Sequence, residues 1–146
     1  MKIWLDLDGT IVGLYNVDNW LEMLTAHDPT PYAIAKPLVN MSLLARYLNR
    51  CQCKGIEICV VTALAKNSTI DYDNAVIEAK KRWLAKHLRS VHFNDVRFVS
   101  YTTVKNSVNA GSDILFDDEE RHLSAWTGKA YHASNILSVL KQLAYA

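Results

Sequence analysis

Residues 1–13 read MKIWLDLDGTIVG. Ile3, Trp4 and Leu5 have the character of a buried strand, and the chain then sets Asp6 and Asp8 two positions apart before it breaks at Gly9. Carboxylates at i and i+2 of an extended segment point to the same side. Held close, they resist joint ionisation unless a cation or a proton stands between them. Such a pair at the end of a strand needs a task that uses one or the other.

Beyond this stretch the apolar runs alternate with segments of helical period. In LVNMSLLARYLNR, residues Leu38, Met41, Leu44, Tyr47 and Leu48 have helical spacing. GIEICVVTA opens at Gly55 and is rich in β-branched residues, which suits a central strand buried on both faces of a parallel sheet. From Asn74 to Leu88 a second helix is expected, with Val76, Ala79, Trp83, Leu84 and Leu88 on its apolar side. Lys80, Lys81, Arg82 and Lys86 read as its solvated face. VRFVSY and DILFD follow as short strands, EERHLSAW as a short helix, KAYHA as a last strand, and SNILSVLKQLAYA as a closing helix with Ser134 as its N-cap. This alternation predicts βαβ units and an α/β fold: a three-layer, doubly wound, mostly parallel sheet.

Residues 14–37 interrupt the alternation. They carry Tyr15, Trp20, HDPTPY and AKP, with a helical fragment near Asn19–Leu24 followed by turn chemistry. We read them as a minimal cap-like insertion over the carboxyl end of the first strand. Tyr15, Trp20 and Tyr32 suit the core of such a cap, and stacking on a base is the alternative.

Composition limits the function. A chain of 146 residues that is 50% apolar and 21% charged fits one globular domain over residues 1–146. A formal net charge of +1 gives no dominant footprint for nucleic acid or an anionic membrane. The three apolar residues before Asp6 are too few for a secretory core, and no apolar run approaches the roughly 18 residues of a membrane span, so a cytoplasmic protein without membrane contact is expected. Cys51, Cys53 and Cys59 form neither a CxxC pair nor an even framework, and read as reduced packing thiols. The histidines His27, His87, His92, His122 and His132 show no metal-binding spacing and receive no role.

In parallel α/β sheets, sites form outside the carboxyl ends of the strands. Asp6 and Asp8 stand at that end of the first strand, Thr62 at that end of ICVVT, and Asp117 and Asp118 at that end of DILF. Lys105 lies in the connection that enters the same rim. A DxD can simply cap a turn, a DD pair can be the acidic first turn of a helix, and a strand-end threonine can satisfy local backbone. Separately those explanations suffice; for four stretches converging on one rim they do not. Lys66 and Tyr72, nearby in the connection after ICVVT, read as exposed loop residues.

In this order the stretches resemble the motifs of the haloacid dehalogenase-like (HAD) superfamily of phosphohydrolases: DLDGT is similar to the first, VVTA with Thr62 to the second, Lys105 to the third and ILFDDEE to the fourth. The resemblance implies that Asp6 is the nucleophile that forms an aspartyl-phosphate, and that Asp8 protonates the leaving oxygen and then activates water. It implies Mg²⁺ as cofactor, a hard cation held by oxygens of Asp6, the main chain of Asp8, and Asp117 or Asp118. It also implies phosphate binding by Thr62, Ala63, Lys105 and Gly9, with Lys105 supplying positive charge. Members that dehalogenate or pump ions lack the second aspartate, so Asp8 favours a phosphatase.

YTTVKNSVNAGSDILFDDEE and NAVIEAKKRWLAKHL further resemble the 5'(3')-deoxyribonucleotidase branch and small nucleotidase-like proteins of phages and bacteria, which implies a small phosphomonoester, a nucleoside monophosphate, as substrate. That branch carries a longer helical cap than residues 14–37 provide. KPLVNM, and the tryptophan after the DD strand, also resemble the 3'-phosphatase domain of polynucleotide kinases, which act on a nucleic-acid end. The near-neutral charge disfavours that alternative. A non-catalytic regulatory protein that keeps the phosphate site is the alternative outside the enzymes.

Overall fold

The computed structural model describes Met1–Ala146. Lys2–Leu5 forms β1, the middle strand of a five-stranded sheet completed by β2 (Glu57–Ala63), β3 (Asp95–Val99), β4 (Ile114–Asp117) and β5 (Lys129–His132). The order is β3-β2-β1-β4-β5, and every neighbouring pair is parallel. Ile3 lies opposite Ile58 on one side and Ile114 on the other, so β1 is hydrogen-bonded along both edges. Side chains alternate across the sheet. Ile3, Leu5, Val60 and Phe116 meet one layer of helices: α3 (Met41–Cys53), α4 (Ile70–His87) and α6 (Ile136–Ala144). Trp4, Cys59, Val61 and Leu115 face the other way, against Trp126 and the short α5 (Glu120–Ala125). This is the expected three-layer α/β architecture.

The helix boundaries follow their caps. The helix expected from Leu38 begins at Met41, because Asn40 Oδ1 accepts from Leu43 N at 3.0 Å. The one expected from Asn74 begins at Ile70, where Thr69 Oγ1 accepts from Tyr72 N at 3.1 Å. Ser134 is not an N-cap: it lies inside a 3₁₀ turn, Ala133–Asn135, closed by His132 Nδ1 accepting from Ser134 N, and α6 starts after it. Cys51 and Cys59 are buried, Cys53 is exposed, and all three are free thiols.

Residues 14–37 form a 3₁₀ turn, Leu14–Asn16, and two short helices, α1 (Trp20–Thr25) and α2 (Thr30–Ile34). The ends of the excursion are tied together: Gly13 N donates to Lys36 O at 2.8 Å and Leu38 N to Ile11 O at 2.9 Å. Tyr32 of α2 packs with Leu14, Tyr72 and Val76, and Trp83 Nε1 of α4 donates to Ala35 O at 2.8 Å. Tyr72 is therefore no exposed loop residue. It is buried in the first turn of α4, its hydroxyl donating to Asp28 O. Lys66 is exposed as expected. No helix is long and apolar enough to cross a membrane.

Candidate active site

The turn after β1 is wound tightly around one carbonyl. Thr10 N, Ile11 N and Val12 N all donate to Leu7 O, at 3.1, 3.0 and 2.9 Å. Gly9 takes φ +85°, and a Cβ there would fall on the carboxylate of Asp118. Glycine is thus required both by the left-handed backbone and by the close approach of Asp118, the residue after β4. The winding returns Thr10 over Asp6, and its hydroxyl donates to Asp6 Oδ2 at 2.8 Å.

The other oxygen of Asp6 belongs to Lys105, at the start of a 3₁₀ turn, Lys105–Val108, between β3 and β4. Its ammonium is buried and sits 2.6 Å from Asp6 Oδ1 and 2.7 Å from Asp117 Oδ2. Burial alone would depress the Lys105 pKa; Asp6 and Asp117 outweigh it, raise the pKa and keep the group charged. Asp117 Oδ1 accepts from Glu119 N at 3.0 Å, so both oxygens of this aspartate are engaged.

Asp6, Asp117 and Asp118 bring one oxygen each within 4.8 Å of one another. Burial pushes the carboxyls of Asp117 and Asp118 up, and the charge of Asp6 adds to the rise at both; Lys105 opposes it only at Asp117. Three hard oxygen donors that repel one another when ionised are the donor set a divalent cation of the Mg²⁺ kind accepts. The residues fit the expected metal. The carboxylate of Asp8 is not in this cluster.

Asp8 turns to a partner that the sequence reading misassigned. Lys80, expected on the solvated face of α4, is 2% exposed and pairs with Asp8 Oδ2 at 3.0 Å. Its Nζ also donates to Thr62 Oγ1 at 2.6 Å and to Ala63 O at 2.8 Å. The signal was present: Val76, Lys80, Trp83 and Leu84 recur at the four-three-one spacing of the apolar stripe, so Lys80 interrupts that stripe and does not belong to the polar face. Burial raises the pKa of Asp8, Lys80 counters it and Asp6 adds to it. Asp8 Oδ1 is buried without a hydrogen-bond partner.

A cavity of about 300 Å³ opens above these groups. Asp6, Asp8, Ala63 and Lys105 form its polar floor, and Tyr15, Trp20, Leu21 and Leu24 of the insertion, with Tyr101, form much of its wall. Gly9 and Asp118 lie against each other beside Asp6. Thr62 is fully buried and does not line the cavity; it reaches the site through Lys80. Tyr32 is buried in the core of the cap and also borders the cavity, as do Tyr15 and Trp20, which pack edge to face at 4.9 Å.

His122 was also overlooked. It is fully buried, and its Nδ1 accepts from Lys105 N at 3.2 Å, steadying the turn that presents the lysine.

No protein-family model and no curated protein matches the chain. Among solved structures, the D,D-heptose 1,7-bisphosphate phosphatase of Burkholderia thailandensis matches over 85% of this chain and 70% of its own, with a TM-score of 0.50 and 16% identity. The likeness is one of fold. What the two share is an α/β architecture; in this chain the sheet is all-parallel and five-stranded, with an aspartate cluster at the carboxyl ends of β1 and β4.

Proposed function

We propose that the protein is a Mg²⁺-dependent phosphomonoester hydrolase that works through an aspartyl-phosphate, with a nucleoside monophosphate as substrate. The observation that carries this reading is the convergence of Asp6, Asp117 and Asp118 around one point, with the Lys105 ammonium bridging Asp6 and Asp117.

In this reading Asp6 attacks phosphorus. Thr10 and Lys105 fix its two oxygens, and Lys105 meets the negative charge that builds up on the nucleophile and the phosphoryl group. Asp8, which lines the same cavity, gives a proton to the departing alkoxide and later takes one from the attacking water. Asp6, the main chain of Asp8, and Asp117 or Asp118 would hold the metal. Bound there, Mg²⁺ supplies charge neutralisation between nucleophile and phosphate.

Tyr15, Trp20 and Tyr101 on the cavity wall support a flat, partly apolar leaving group such as a nucleoside. The test is phosphate release from 5'- and 3'-(deoxy)nucleoside monophosphates, sugar phosphates and a 3'-phosphorylated oligonucleotide. The mononucleotides should be the best substrates, with turnover abolished by EDTA and by Asp6→Asn. Release from the oligonucleotide alone would select an end-processing enzyme; no release from any of them by folded protein would leave a binding protein.

A further inference from the structure

Lys80 is a buried lysine that the reaction outlined above does not use. Taking an ammonium out of water is costly, and apolar side chains of similar volume hold a core at least as well. Its retention within the apolar stripe of α4 therefore asks for a reason other than packing. All three of its donors are committed: to Asp8 Oδ2, Thr62 Oγ1 and Ala63 O. The ring of Tyr32, from the inserted segment, covers it at 5.1 Å. No donor is left over for a phosphate oxygen, so Lys80 is not a substrate-binding group. What it does is hold one oxygen of Asp8, a residue that lines the cavity, while the other oxygen is buried without a partner.

We propose that Lys80 is a positioning residue: it clamps Asp8 against the end of β2 so that the Asp8 carboxyl meets the leaving oxygen of a substrate held in the cavity. The clamp ties three parts of the chain together, the turn after β1, the end of β2 through Thr62 and Ala63, and α4. This inference rests on the phosphatase reading, and it makes Thr62 part of the acid–base apparatus through Lys80.

A clamp on the proton donor matters in proportion to how much the leaving group needs a proton. An aryl phosphate such as 4-nitrophenyl phosphate departs as a stable anion; an alkyl phosphate must leave as an alcohol. The ratio of kcat/KM between the two esters reports the transfer step, since anything that changes folding or phosphate affinity alone affects both alike. Lys80→Met should lower kcat/KM about 100-fold or more on the alkyl ester, within the range of acid–base assistance, and less than about 10-fold on the aryl ester. Lys80→Arg, which keeps the charge, should restore much of the ratio. Equal losses on both esters would overturn the proposal. Should Lys80→Met fail to fold, Lys80→Gln, which keeps a donor but removes the charge facing Asp8, carries the same comparison.

A second measurement does not depend on turnover. In urea unfolding of Lys80→Met (or the folded Gln variant), Asp8→Asn and their double variant, the double variant should be more stable than the summed single effects predict, because the pair is lost only once. Additive effects would overturn the clamp. If wild-type protein hydrolyses neither ester, the phosphatase reading fails by itself, and this cycle still decides whether Lys80 holds Asp8.

Discussion

The Lys105 ammonium stands 2.6 Å from Oδ1 of Asp6, a residue 99 positions earlier in the chain. Both groups are buried, and Asp117 closes the arrangement from β4. Removing the cation leaves two carboxylates buried without their counter-charge. Lys105→Met should therefore cost about 3–5 kcal/mol in urea unfolding, and turnover should fall by roughly 100- to 1,000-fold, the usual cost of losing one preorganised charge-stabilising group. A variant with wild-type kcat would remove Lys105 from the reaction.

The crowding of Asp6, Asp117 and Asp118 makes metal binding visible as stability. Mg²⁺ at one hundred times its Kd should stabilise the folded protein by about 2.7 kcal/mol, read as a rise in melting temperature that EDTA reverses. Asp118→Asn should blunt that rise while leaving the fold intact. If wild-type protein melts at the same temperature with and without Mg²⁺, the acid cluster is no metal site.

Tyr15 and Trp20 touch each other edge to face and border the cavity, so their loss should be felt through the leaving group. Base–aromatic stacking contributes about 1–3 kcal/mol per base. Trp20→Ala should raise KM for a nucleoside monophosphate by about tenfold, and by less for a small alkyl phosphate. A uniform change would assign the tryptophan to the cap's own packing.

His122 supplies a pH signature. Burial is the first cause of its depressed pKa, with Lys105 and Arg121 pressing the same way and Glu119 and Asp6 opposing; the value falls from 6.5 to about 4. Between those values the unfolded chain binds more protons than the folded one, so stability from this group is full above about pH 6.5 and drains away as the pH falls toward 4. The amount is about 3 kcal/mol. His122→Asn should flatten the acid limb of the stability–pH curve; an unaltered slope would show that the ring titrates freely in the folded state.

The strands were the legible part of this chain. Short runs such as ICVVT and DILF are apolar on both faces, which suits an interior strand of a covered sheet, and the acids that follow KIWL and ILF mark one rim. Asp6, Asp8, Lys105 and the DD pair could be read because each sits at a fixed offset from such a run. Lys80 could not be read the same way. Composition around it suggests solvent, and only its place in the helical period betrays burial. Leu38 and Ser134 were misplaced for another reason: helix starts depend on which side chain first accepts a backbone N–H, and Asn40 and His132 took that part. Tyr15, Trp20 and Tyr32 look alike in sequence, yet their fates divide with the path of the insertion, which no periodicity describes.

The central place of β1 also bears on how the molecule comes together. Its edges are filled by residues 57–60 on one side and 114–116 on the other, so one edge of β1 stays unpaired until residues more than a hundred positions further along have been made. Long-range pairing of this kind slows folding and leaves an apolar edge open in the meantime. Asp6 and Lys105 meet only when the β1–β4 register locks. Appearance of the cavity, followed for example by Trp20 fluorescence, should then coincide with completion of folding and not precede it.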